Sequence, residues 1–366
     1  MRRIFSIRIP EQFQGLSGSS GIVFRVGNYA ACALVITFWL WLENQVFKQA
    51  RQPESSVRMK LIASLRKPEY VFRPARIWHR IVGEFLDPPP ELADVMLPWG
   101  YLIRVRPQEA IGACIWRVGI YDVCVSECLW RLVGPGEVAV DVGANIGHMT
   151  SVMAWRLGQH GKIISIEPHP ELFEELRFNV TRWQSLMNAP KFVLHNLAVS
   201  NRLGRALLHV PQGFRANRGI ATLLESSAQE SSSETHSVNV TTLDALIPGI
   251  EKIGVLKIDV EGYELAVLRG SVELLSSKRA RDIIFEDHGI PPTPVMELLR
   301  EYGYVVFHLG QRLRGPEIVD IRQPYVQKLV HAPSFLATID PQRALKRLSE
   351  RGWKVLRRVN GSRAVV

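Results

Sequence analysis

From residue 138 onward the apolar positions of this chain fall into short runs that alternate between two periods. "VAVDV" (138–142) reads as a strand, and "HMTSVMAWRLG" (148–158) behind it carries its apolar residues at helical spacing. The same unit recurs as strand "KIISIEP" with helix "PELFEELRFNVTRW", strand "GVLKIDV" with helix "YELAVLRGSVELLSS", and strand "DIIFED" with helix "TPVMELLREYG". "KFVLHNLAV" adds a strand, "RALLHVP" an antiparallel one, and "YVVFHL" and "SFLATI" the last two. Strands this apolar, separated by helical periods, predict a doubly wound, mostly parallel α/β sheet covered on both faces. Upstream, "YLIRVRPQEAIGACIW" (101–116) predicts a hairpin and "VCVSECLWRLV" (123–133) a helix stopped by "GPGE".

Ligands of such sheets sit beyond the carboxyl ends of the strands, so the residues found there matter most. "DVGANIG" (141–147) ends a strand in Asp141 and turns through Gly143, Asn145 and Gly147 into a helix. It is neither a GKS/GKT phosphate loop nor G-x-G-x-x-G, which turns the reading away from nucleoside triphosphates and dinucleotides. A cofactor with an amino-acid tail needs a carboxylate for its ammonium and backbone N–H groups for its own carboxylate. Asp141 and the turn offer both. Glu167 ends the next strand, 24 residues past Gly143, where an acid accepts hydrogen bonds from a ribose diol. The set points to S-adenosylmethionine.

A third strand, "VLKIDVEG", brings Asp259 and Glu261 to its end, and alternation puts Lys257, Asp259 and Glu261 on one face. "FEDHG" brings Glu286, Asp287 and His288 to the neighbouring end. Asp259, Glu261, Glu286 and His288 are the candidates for proton transfer, since a hydroxyl needs a base. His288 is the side chain most readily neutral and basic at pH 7. Asp259 also stands as a cofactor contact. Two other readings stay open: the acids as caps of the following helix, and the carboxylates as a Mg²⁺ site. His148 and His169 follow the turn and Glu167, either as pocket lining or as helix-start residues.

"VAVDVGANIGHMTSVMAWRLGQHGKIISIEPHPELFEELRFNV", "TLDAL", "VLKIDVEGYELAVLRG" and "IIFEDHG", in that order, resemble the FkbM family of S-adenosylmethionine-dependent methyltransferases, and "GIYD" (119–122) resembles its glycine-tyrosine-acid element. The likeness covers roughly residues 110–310. It implies the class I, Rossmann-like seven-stranded fold and methyl transfer to a hydroxyl oxygen, commonly of a sugar or polyketide. The proline often found before the "IIFE" strand is missing ("KRARDIIFE"), and a Ser-rich stretch at 225–237 lies outside the pattern.

Charge refines the choice of partners. Residues 1–100 carry 13 Lys/Arg against 8 Asp/Glu, residues 300–366 carry 13 against 5, and the segment between is mildly acidic within a net +10. A nucleic-acid enzyme should be basic where it meets substrate, so the charge speaks against nucleic acid, and the acceptor that the resemblance implies is a small molecule or glycan with a hydroxyl. The basic flanks suit an anionic lipid surface. "VGNYAACALVITFWLWL" (26–42) is 17 residues without a charge, at the short limit for a spanning helix; it reads as a membrane-bound or a packed helix. The expected place is the cytoplasm, with membrane association through this helix. Four cysteines make no disulfide framework, and Cys124 and Cys128 read as packing. The expected organisation is an extension over 1–98, a catalytic domain over 99–310, and a final strand over 311–366 with a basic surface helix, "DPQRALKRLSERGWKVLRR" (340–358), that opens on an Asp340 N-cap and Pro341. The competing functions are a non-catalytic, membrane-associated module that keeps the fold and an NAD-type oxidoreductase on the same sheet.

Overall fold

A computed structural model describes residues 89–357 except 212, 220–221, 225–233, 248 and 323–332, together with Pro68. The apolar run at 26–42 lies outside the described residues, and no helix among them is long and apolar enough to cross a membrane.

The chain opens with a hairpin of β1 (Ala93–Met96) and β2 (Leu102–Val105), then α1 (Ala110–Val118) and α2 (Val123–Leu132). The alternating part follows as β3 (Val138–Val142), α3 (His148–Leu157), β4 (Lys162–Ile166), α4 (Pro170–Gln184) and β5 (Lys191–His195). A small-sheet excursion comes next: β6 (Ala198–Val199), β7 (Gly204–Val210), β8 (Thr222–Leu224) and β9 (Glu234–Thr241). The chain returns through α5 (Leu243–Leu246), β10 (Ile253–Ile258), α6 (Glu264–Arg269), α7 (Val272–Ser276), β11 (Ala280–Glu286) and α8 (Pro294–Glu301). It closes with β12 (Val305–Arg312), β13 (Gly315–Asp320), β14 (Ser334–Thr338) and α9 (Pro341–Leu348).

The main sheet has eight strands in the order β13-β12-β14-β11-β10-β3-β4-β5. β11, β10, β3, β4 and β5 pair in parallel, and β14 is inserted antiparallel between β11 and β12. The seven strands implied by the resemblance are present, and β13 extends the edge by an antiparallel hairpin with β12. β6, β9, β7 and β8 form a second sheet with its own core of Ala198, Leu208, Val238 and Val240.

Pleating divides the strand residues between two cores. Ala139, Ile163, Val255 and Ile284 face the α1–α4 and α9 side, whereas Val140, Ile164, Leu256 and Ile283 face α5–α8. Asp141, Ser165, Lys257 and Asp282 alternate with that second set, so a polar track runs under the first layer of helices.

Four sequence expectations change. The hairpin begins upstream of 101–116 and only its second strand falls in that stretch: β1 pairs with β2, and residues from Ala110 are helical. Ile111, Ile115 and Val118 stand at i, i+4 and i+7, the spacing of a buried helix face. "YELAVLRGSVELLSS" is two helices rather than one, because Gly270 packs so tightly that a Cβ there would stand 2.1 Å from Ser200 O. Of the part expected beyond 310, β14 lies inside the main sheet, between β11 and β12. Finally, α9 turns its arginines inward: Arg343 and Arg347 donate to Leu132 O, and Arg343 also bonds Asp282 at 2.8 Å.

Candidate active site

β3 delivers its chain to a turn that only glycine can make. Gly143 has φ +77°, and a Cβ on it would lie 1.9 Å from Asp259 O, so the end of β10 closes directly over the turn. Asn145 takes the left-handed conformation (φ +51°) and donates its N–H to Glu167 Oε2 at 2.8 Å. Gly147 opens α3, whose N-cap has no side-chain hydrogen bond and whose first turn holds no acid. The amides at that end therefore face the cleft uncapped by side chains, which suits a carboxylate.

Glu167 is buried, lines the cleft, and accepts from the His169 N–H at 2.9 Å through its second oxygen. Burial pushes its carboxyl up to about 7 against the pull of those two amides.

Asp141, expected to meet the donor's ammonium, lies beneath the turn. It is fully buried, does not line the cleft, and holds Thr150 Oγ1 at 2.6 Å and Lys257 Nζ at 3.3 Å. Lys257, also buried, reaches Asp259 Oδ2 at 3.2 Å and Gly143 O at 3.2 Å. Burial works against this ammonium, but Asp259 and Asp141 hold its pKa above the ordinary lysine value. The pairing follows from register, because Lys257 and Asp141 are direct neighbours on β10 and β3. One cation thus ties the floor of the cleft to its glycine turn.

Asp259, Glu261 and Glu286 all line one cleft with Tyr121, His148 and Tyr263. Glu261 belongs to the turn rather than to the strand: β10 ends at Ile258, and Glu261 has φ +43°. Burial and the nearby Asp259 raise its pKa. Burial, then the charges of Asp259 and Asp122, push Glu286 up to about 8 against the opposing Lys257. His288 stands apart; its side chain is 71% exposed, 4.0 Å from Glu286 Oε2, and outside the cleft lining. Asp287 accepts from Gly289 N–H and from the Thr293 hydroxyl, and so is occupied in shaping the turn before α8. Among the described residues no group of three or more His, Cys, Asp or Glu side chains is placed to hold a metal ion.

Residues other than acids also shape the cleft, and His148 takes both places offered for it, pocket lining and helix start. His148 is buried at the start of α3, accepts from the Tyr121 N–H at 3.3 Å, and burial drops its pKa to about 3, so it stays neutral. Tyr121 comes from "GIYD", whose Asp122 caps α2 by accepting from Val125 N–H at 3.0 Å. Asn217, Arg218 and Gly219 cross the cleft from the loop after β7, a segment whose glycine and polar residues gave no periodic signal.

The site fits an S-adenosylmethionine-like ligand in two respects: a side-chain-uncapped helix N-terminus beside the turn, and a buried carboxylate at the next strand end. The family model described as the methyltransferase FkbM domain matches residues 141–306. Hexuronic acid methyltransferase AglP of Haloferax volcanii is 29% identical over 220 residues, covering 58% of this chain and 80% of that protein. The 31-O-demethyl-FK506 methyltransferase FkbM of Streptomyces tacrolimicus is 30% identical over 199 residues, covering 47% of this chain and 74% of that one. Among solved structures, a methyltransferase FkbM from Methylobacillus flagellatus KT aligns with 55% of this chain and 43% of its own, at 16% identity and a TM-score of 0.33.

Proposed function

The chain belongs to the FkbM family of methyltransferases, and on that premise we propose that it moves the methyl group of S-adenosylmethionine to a hydroxyl oxygen of a small-molecule or glycan acceptor. The observation that carries the oxygen acceptor is one wall of the cleft, where Asp259, Glu261 and Glu286 converge from the ends of β10 and β11. The two relatives named for a hexuronic acid and for FK506 support an oxygen-rich acceptor.

The donor supplies an electrophilic methyl on a positively charged sulfur. The protein does the rest. Amides at the start of α3 would receive the donor's carboxylate, Glu167 its ribose hydroxyls, and Asp259 its ammonium, the place first read for Asp141. Lys257 holds Asp259 in position from below. As the acceptor oxygen gains the methyl it loses a proton, and Glu286 would take it, a reading supported by its position on the cleft wall and by its raised pKa. His148, neutral and fixed by the Tyr121 N–H, adds no charge to a wall that is already acidic.

The test is mass spectrometry of cell extracts incubated with the protein and trideuteromethyl-labelled donor. A product three deuterons heavier, methylated on oxygen, is expected. Label found only on nitrogen or carbon would overturn the hydroxyl reading while leaving the methyltransferase.

A further inference from the structure

The loop after β7 is built as a strap. Gly213 (φ +95°) turns it, and Ala216 and Asn217 N–H both bond back to Gly213 O, at 2.8 and 3.1 Å. One end is fixed by Phe214, buried and stacked on His169 at 4.6 Å, two residues beyond Glu167. Its middle is fixed by Ala216 O, which accepts from the Ala110 N–H at 2.9 Å at the start of α1. Its far end passes over the acceptor wall: a Cβ on Gly219 would stand 3.8 Å from Glu261 Oε1. The strap therefore spans the cleft from the Glu167 side to the Glu261 side.

Arg218 anchors it. The residue is 5% exposed, and its guanidinium reaches Glu175 Oε1 at 2.7 Å, Glu109 Oε1 at 3.0 Å and Glu171 Oε2 at 3.3 Å. Arg106 completes the cluster on Glu175 at 2.9 Å. Arg218 and Glu109 are buried in this cluster while Glu171 stays exposed, so opening is costly chiefly because the Arg218 guanidinium and Glu109 must stay paired or rehydrate together. The cleft beneath encloses about 150 Å³, below the roughly 300–1,000 Å³ of small-molecule sites.

We infer that Arg218 is a positioning residue that latches residues 213–219 over the donor cleft, and that the donor exchanges only when this latch releases. The inference rests on the donor reading given above. Arg218 touches no reacting atom; its effect runs through the strap that it holds.

Two measurements test it on the full chain with S-adenosylhomocysteine as the probe. In surface plasmon resonance, Arg218→Ala and Phe214→Ala should each speed dissociation by about tenfold or more, and Arg218→Lys by less, since an ammonium keeps the charge but not the fork. In ligand-free protein, hydrogen exchange at the amides of Ala110, Ala216 and Asn217 should quicken in both alanine variants while β10 and β3 stay protected. Should Arg218→Ala fail to fold, Phe214→Ala and Arg218→Lys decide. Wild-type dissociation rates in folded variants overturn the latch. If the wild type binds no S-adenosylhomocysteine, the donor reading itself fails; slow exchange at the three amides in the variants would still overturn the latch.

Discussion

Asp259 and Glu286 end adjacent parallel strands, yet they are held in different fields. Asp259 has Lys257 at 3.2 Å, whereas Glu286 is pressed by burial and by neighbouring acids up to about 8 against the weaker pull of the same lysine. A base must be ionised to accept a proton, so turnover should rise with pH through about 8, and Glu286→Gln should remove that limb. Carbon-13 NMR of glutamate-labelled protein checks this without an acceptor: one side chain should titrate near 8 and vanish from the Gln variant. His288→Ala should leave the limb in place, because that ring stands in solvent. The sign for stability is opposite. Glu286 holds its proton in the native state from the ordinary glutamate range up to about 8, so its contribution to stability falls as pH rises through that window. Which acid is tuned was not legible in "VLKIDVEG" and "IIFEDHG", because tuning depends on a lysine set between two strands. That all these acids lie at strand ends was legible, since alternation and glycine breaks reveal where strands stop.

Between elements, α2 and α9 cap each other. Arg131 of α2 is buried against Glu127 at 2.6 Å and donates to the carbonyls of Arg347, Leu348, Glu350 and Gly352 at the end of α9. In return Arg347 donates to Arg131 O and Leu132 O at the end of α2. Each helix thus satisfies orphan carbonyls of the other and places a cation where the helix dipole is negative. Arg131→Met should therefore strand Glu127 in the core and cost about 3–5 kcal/mol, read as a lowered urea midpoint with donor affinity retained in folded protein. A loss under about 1 kcal/mol, the usual worth of an exposed pair, would return α9 to the surface. Sequence reading took "DPQRALKRLSERGW" for a solvated helix because its charges match one. Only the long-range contact with α2 shows that the basic face looks inward. The Asp340 cap, by contrast, was legible, and it accepts from Arg343 N–H at 3.1 Å.

At the scale of the whole chain, the catalytic parts are drawn from one continuous stretch. The cleft is lined by residues from Ile111 to Glu286, and every described element belongs to the compact unit Leu65–Val366. The order of strands was legible because each βα unit announces itself locally; the insertion of β14 beside β11 was not, since antiparallel insertion leaves no mark on periodicity. The apolar run at 26–42 lies outside the described residues, and the cleft lining among the described residues falls within 111–286. Deleting residues 1–86 should therefore leave S-adenosylhomocysteine affinity within about twofold by calorimetry, a difference well under 1 kcal/mol. The same deletion separates the two readings of the extension. A membrane role predicts that the full chain sediments with vesicles containing anionic lipid and that the truncated chain does not, with the attraction weakening as salt rises. A packing role predicts no sedimentation of either chain and a lower melting temperature once the segment is gone. Unchanged vesicle binding after truncation would move the lipid contact to the basic residues after 300, and the 26–42 helix would lose its part in it.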